Sequence, residues 1–171
     1  MKTTNFGSML LVEDVESLVT PLSGQTYIKK LIEVVSQAKY SIDVIQYQWN
    51  FYKGQPTSQI QQLNRTVIGK AETGTKIRVM LAVEGRSNHL TNINMKAKDI
   101  LTRAGINVKF GRSFPITHAK LWVFDDDEVI LGSHNLSNRS VTVNVETSVL
   151  IKSRSVAMEF KRYYNTQWDL H

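Results

Sequence analysis

The sequence contains no cysteine. Disulfides, thiolate zinc sites and cysteine nucleophiles are thereby excluded together. A long hydrophobic run is also missing: no stretch approaches the roughly 18 uninterrupted apolar residues of a membrane span. The apolar segment Met9 to Val12 is stopped by Glu13 and Asp14, too early for the apolar stretch of a secretory signal. A cytoplasmic protein without a transmembrane segment is therefore expected. Linkers, low-complexity tracts and internal repeats are lacking too. Residues 1–171 are expected to form a single domain, for whose core 42% hydrophobic content suffices. Negative charge is in deficit, with 15 Asp and Glu against 21 Lys and Arg, a net +6. That balance favours a polyanionic partner, although the cations are scattered rather than gathered into a tail. Residues 1–20 carry no further readable pattern.

What is present is an alternation of periods. Ile28, Leu31, Ile32 and Val35 recur at helical spacing, and Ser41 to Tyr47 alternates as a strand does. After Pro56-Thr57, a stripe of Ile60, Leu63, Val67, Ile68 and Ala71 predicts a helix that Gly74 ends. Ile77 to Val83 is nearly continuous in apolar character, as a strand covered on both faces should be. Thr91 to Ala104 predicts a third helix, closed by Gly105, and Ile106 to Phe110 a further strand. Beyond Thr117 the pattern changes to a hairpin, His118 to Phe124 and Val129 to Leu131, about the acidic turn Asp125 to Glu128. Asn144 to Ile151 predicts one more strand, and Val156, Phe160, Tyr163 and Tyr164 one face of a closing helix. The class is α/β: a mixed, mainly parallel β-sheet flanked by helices on both faces.

The hairpin carries the chemistry. His118-Ala119-Lys120 is followed by four residues and Asp125, then by six residues and Gly132-Ser133-His134-Asn135. On a strand, residues two apart share a face, so His118 and Lys120 can converge on one phosphate. Six specified residues at these spacings arise by accident on the order of once in a million chains of this size. The spacing resembles the signature of the phospholipase D superfamily, with Thr117 to Ile151 as its specific core, and implies a phospholipase D-like fold.

Phosphodiester cleavage needs a nucleophile, a means of stabilising spreading negative charge, and a proton for the leaving oxygen. The resemblance implies His118 as the nucleophile, through a phosphohistidine, with a carboxylate on its second ring nitrogen; Glu146 stands where single-motif nucleases of the superfamily place that carboxylate. Lys120 and Asn135 are expected to serve the non-bridging oxygens. Gly132 is expected to let backbone approach the phosphate, and Ser133 to donate to it or brace the neighbouring strand. Asp125 is expected to support the site. No metal or other cofactor is implied.

One further absence decides the architecture. The superfamily's phosphoryl site uses two HxK histidines, and this chain has one: His89, His134 and His171 have no lysine two residues on. A twofold homodimer would supply the second across its axis, as an isologous interface does. The resemblance points to the short bacterial endonucleases and hence to nucleic acid, DNA or RNA, cut with little sequence preference. Arg112, Arg139, Lys152 and Arg154 can extend a cationic track, and Tyr47, Trp49, Phe51 and Tyr52 can offer stacking faces. Three other readings compete: a phospholipid headgroup hydrolase or transferase, a catalytically silent nucleic-acid-binding module, and a metal nuclease built on the carboxylates of Asp125, Asp126, Asp127 and Glu128.

Overall fold

The computed structural model describes residues 17–85 and 88–171; the Met9 to Val12 run lies outside them. The elements are β1 (Leu18–Ser23), α1 (Gln25–Gln37), β2 (Ser41–Gln46), α2 (Gln59–Glu72), β3 (Lys76–Leu81), α3 (His89–Arg103) and β4 (Asn107–Phe110). Then come β5 (Leu121–Phe124), β6 (Glu128–Gly132), α4 (Asn138–Thr142), β7 (Thr147–Lys152) and α5 (Arg154–Asp169). The strands form one sheet in the order β1-β7-β6-β5-β2-β3-β4.

The mixed sheet expected from the sequence is present, but its parallel share is smaller than expected. Among the named strands, β2–β3 and β3–β4 pair in parallel, whereas β1–β7, β2–β5, β5–β6 and β6–β7 are antiparallel. The hairpin β5–β6 inserts beside β2 and reverses the direction of everything beyond it. β1, which no periodicity announces, is an edge strand on β7 and holds Pro21, a residue that sheets accept at an edge.

Alternation in the strands separates two apolar faces. Ile42, Val44, Val79, Leu81, Trp122, Phe124, Ile130 and Leu150 point to the face covered by α1, α2 and α3. Ile45, Met80, Leu121, Val123 and Val129 point to the other, covered by α5. The buried stripe of α5 is Ala157, Tyr164 and Trp168, with Phe160 packed against it; of the expected Val156, Phe160, Tyr163 and Tyr164, Tyr164 and Phe160 face the core, while Tyr163 is 36% exposed. An ion cluster fixes this register. Asp43 of β2, 1% exposed, meets Arg78 Nε at 2.6 Å and Lys161 Nζ at 2.5 Å, so that its buried charge is compensated on both oxygens. Arg78 also lies over the Tyr164 and Trp168 rings.

The caps follow local chemistry. Ser58 accepts from the Gln61 amide at the start of α2, and Asn88 from the Leu90 amide at the start of α3. Gly74 and Gly105, at φ 94° and 80°, turn the chain beyond the C-termini of those helices.

Candidate active site

β2 and β5 run antiparallel, Ile45 opposite Leu121, and Leu121 also faces Leu131 of β6. The segments leaving β2, β3 and β6 therefore meet the segments entering β5 and β7 at one end of the sheet. Carboxyl ends of parallel strands are where open α/β sheets bind ligands. His118, Lys120, Ser133, Asn135, Glu146 and Tyr47 all lie here.

His118 and Lys120 stand just before β5 rather than in it, because regular pairing begins at Leu121; the Gly132 amide still donates to the Lys120 carbonyl at 3.2 Å. His118 is exposed and Lys120 buried, at 7%. Lys120 Nζ lies 3.2 Å from His118 Nδ1 and donates to the His118 carbonyl at 2.7 Å. Among the described residues, Nε2 of His118 makes no hydrogen bond. Burial and the adjacent Lys120 charge lower the His118 pKa, against an opposing effect of Glu84. Burial pushes the Lys120 ammonium down to about 8, the Glu146 charge opposing it.

The Gly132–Asn135 turn is held from beneath. His134, fully buried, stacks on Tyr27 with ring centroids 4.0 Å apart, and its Nδ1 lies 2.7 Å from Ser148 Oγ. The Asn135 amide donates to Ser140 Oγ at 2.9 Å. That leaves the Asn135 side chain, whose Oδ1 is buried without a partner, uncommitted within the chain. Other buried polar atoms lack hydrogen-bond partners too, among them Trp122 Nε1 and Tyr164 Oη; what singles out Asn135 is its place beside His118 and Lys120, where a bound ligand would satisfy it.

Gly132 is explained by the fold rather than by a phosphate. A Cβ there would come within 2.4 Å of the Thr147 carbonyl oxygen and 2.5 Å of Ser148 Cα, so β7 itself occupies the space. Ser133 braces the neighbouring strand: its hydroxyl donates to Glu146 Oε2 at 2.5 Å and accepts from the Thr147 amide at 3.1 Å.

Within the single chain Glu146 is bonded elsewhere than to His118. Its carboxylate accepts from Ser133, from Ser140 at 3.1 Å and from Asn144 at 3.2 Å, and among the described residues no hydrogen bond joins it to His118. The reason is topological: β6 separates β7 from β5. Burial pushes its pKa up, but the bonds from Ser133, Asn144 and Ser140 outweigh that and hold it below the usual carboxylate range. Within the chain, the carboxylate whose charge opposes the lowering of the His118 pKa is Glu84, beyond β3, which accepts from the Tyr47 hydroxyl at 2.5 Å. Sequence reasoning passed over it; the signal available is its place just past a buried parallel strand.

Asp125 is not at this end. At ~3.3 Å per residue it lies roughly 16 Å along β5 from Lys120. There its carboxylate accepts from the amides of Lys39, Tyr40 and Ser41 at 2.6 to 2.8 Å. Asp125 and Asp126, at φ 51° and 60°, form the tight turn that a right-twisted hairpin favours. The remaining carboxylates of the turn are occupied: Asp126 by Lys161, Asp127 by Arg154 and Glu128 by Lys152. Lys152 and Arg154 thus belong to the far end and extend no track from His118. Among the described residues, no group of three or more His, Asp or Glu side chains is placed to hold a metal.

Of the expected stacking residues, Trp49 is fully buried, its Nε1 donating to Asn64 Oδ1 at 2.7 Å, and Phe51 and Tyr52 pack against the same core. Tyr47 remains at the site, its ring 4.4 Å from that of His118 and under Lys120 Nζ at 4.8 Å. Arg112 and His118 line one cavity of about 250 Å³. Arg139 is exposed on α4, next to the Asn135 turn. No helix among the described residues is long and apolar enough to cross a membrane.

The comparisons with known proteins agree with this fold. Residues 31–168 match the family model described as cardiolipin synthase, phospholipase D-like domain, and the chain belongs to this phospholipase D-like family. The 5'-3' exonuclease PLD3 of Xenopus laevis is 24% identical over 170 residues, covering 94% of this chain and 33% of its own length. The virion nicking-joining enzyme of Vaccinia virus (strain Western Reserve) is 22% identical over 143 residues, covering 81% of this chain and 32% of its own. The chain spans about a third of the length of these curated relatives. Nuc from Salmonella typhimurium, a phospholipase D family member, shares the fold at a TM-score of 0.76 and 19% identity, over 90% of this chain and 95% of its own.

Proposed function

We propose that this chain is a phosphodiester hydrolase of the nuclease type, acting on DNA or RNA with little sequence preference and without a metal ion. The observation that carries the reading is the convergence of His118, Lys120 and Asn135 at one sheet end, with His118 Nε2 and the Asn135 side chain uncommitted. The net charge of +6 and the nucleolytic activities for which the relatives are named support it.

In this reading His118 Nε2 attacks phosphorus, forming a phosphorus–nitrogen bond as the bond to the leaving oxygen breaks. A lone pair on Nε2 requires the ring proton on Nδ1. Lys120 donates toward Nδ1 in the free protein, and a bound phosphate would draw its ammonium away and permit that tautomer. Lys120 and the Asn135 amide then stabilise the charge gathering on the non-bridging oxygens. The proton for the leaving oxygen comes from a second His118, supplied by another copy of the chain across a twofold axis. That histidine next takes a proton from the water that hydrolyses the phosphohistidine. Val143 and Val145, exposed at 68% and 104%, precede Glu146, and Phe114, exposed at 85%, precedes His118. Apolar surface around the site in this way suits a self-complementary interface.

The test pairs cleavage of single- and double-stranded nucleic acid in excess EDTA with native mass measurement, on wild type and His118→Ala. Wild-type turnover in a dimer, abolished in the variant, is expected. Turnover by a monomer would remove the shared site, and activity lost to EDTA and restored by magnesium would remove the histidine mechanism. The family description, a cardiolipin synthase domain, favours a second reading as a phospholipid headgroup hydrolase or transferase. Headgroup release from anionic vesicles without cleavage of nucleic acid would establish it, and DNA binding without any turnover would indicate a silent binding module.

A further inference from the structure

The Tyr47 hydroxyl donates to Glu84 Oε1, and Glu84 Oε2 accepts from Asn88 Nδ2 at 2.8 Å. The Glu84 amide donates to Thr91 Oγ1 at 2.9 Å. Fully buried Asn94 donates to the carbonyls of Tyr47 at 2.7 Å and Ala82 at 2.9 Å, and accepts from the Trp49 amide. Tyr47 and Glu84 are thus pinned from the start of α3, in both backbone and side chain. A tyrosine meant to stack on a base would leave one face open. Here the ring is tilted at 53° against the His118 imidazole and carries the Lys120 ammonium, so its surface is spent on His118 and Lys120.

We propose that Tyr47 and Glu84 are positioning residues of the active site: Glu84 anchors the Tyr47 ring, and the ring sets the placement of His118 and Lys120. A phenol donating to a carboxylate has a more electron-rich ring, which strengthens its attraction for a cation on its face. The raised Tyr47 pKa, due first to that hydrogen bond, keeps the hydroxyl protonated. The groups facing His118 are Lys120 beside it, Tyr47 and Glu84 from the ends of β2 and β3, and Arg112, Tyr163 and His171 around the adjoining cavity. Of the two charges that act on His118, Lys120 lowers its pKa and Glu84 raises it. Removing Glu84 must therefore lower it further.

The kinetic part of this inference rests on the phosphodiesterase reading, whereas the titration of His118 by NMR does not. Glu84→Gln keeps the shape and removes the charge. The His118 titration is expected to move to lower pH, both limbs of the pH–rate profile to move with it, and kcat to fall by about tenfold with KM little changed. Glu84→Asp restores the charge and is expected to return the titration toward wild type. Tyr47→Phe keeps the ring, removes the hydroxyl and is expected to lower kcat by about threefold; it serves as the test if Glu84→Gln does not fold. An unshifted His118 titration in Glu84→Gln, or an unchanged kcat in Tyr47→Phe, overturns the proposal. A wild type that cleaves no diester refutes the phosphodiesterase reading instead and leaves the titration to decide on Glu84.

Discussion

The two ends of the β5–β6 hairpin carry the same motif and use it in opposite ways. At the Asp125 end each carboxylate of the turn has a partner: three backbone amides on Asp125, and one cation each on Asp126, Asp127 and Glu128. At the His118 end, charges are left open and shifted. Lys120 is buried with its pKa near 8, and the Asn135 oxygen has no partner. Burying polar groups without full compensation costs stability. One end of the hairpin accepts that cost, and the difference separates residues kept for chemistry from residues kept for folding within one short motif.

The comparison breaks first at His118. His118→Ala is expected to lower turnover by about 10³-fold or more while leaving the thermal midpoint unchanged, since the side chain is exposed; calorimetry beside a cleavage assay checks both. Gly132→Ala sits at the open end yet is expected to act as a folding mutation, destabilising by about 2–3 kcal/mol as β7 is forced away. Asp125→Ala should cost about 2 kcal/mol in denaturant unfolding, with kcat intact in the folded fraction. Retention of stability in Asp125→Ala with loss of kcat would erase the distinction between the ends.

Subtler effects sharpen it. Affinity for an uncleaved diester should fall severalfold as pH rises through about 8, because deprotonation of Lys120 removes a cation from the phosphate site; titration calorimetry reads this directly. Arg139→Ala should weaken nucleic-acid binding and flatten its salt dependence. Arg154→Ala, at the far end and paired with Asp127 across an exposed 3.0 Å contact, should change neither.

Much of the fold and half of the site are legible in the residues alone. Helical periods in α1 and α2, the continuous apolar run of β3 and the spacing from His118 to Asn135 report local geometry, and local geometry is what sequence encodes most directly. The misreadings share one cause. Trp49 reads as a stacking residue and lies in the core; Lys152 reads as part of a nucleic-acid track and pairs with Glu128. Tyr163 reads as core and is half out in solvent, because the Asp43–Arg78–Lys161 cluster sets the rotation of α5. Each depends on which strand lies beside which, and strand order is not periodic.

The sequence by itself determined the chemistry available: one HxK pair, one GSxN turn, no thiol, and an excess of cations. Side-chain type and spacing along a strand are enough for that. Only the tertiary structure decided the partners. It sent Asp125 to the backbone amides of Lys39 to Ser41, gave Glu146 to Ser133, and brought Glu84 through Tyr47 to His118. Those pairings join residues from separate strands, and their energies exist only once the sheet has assembled in its particular order.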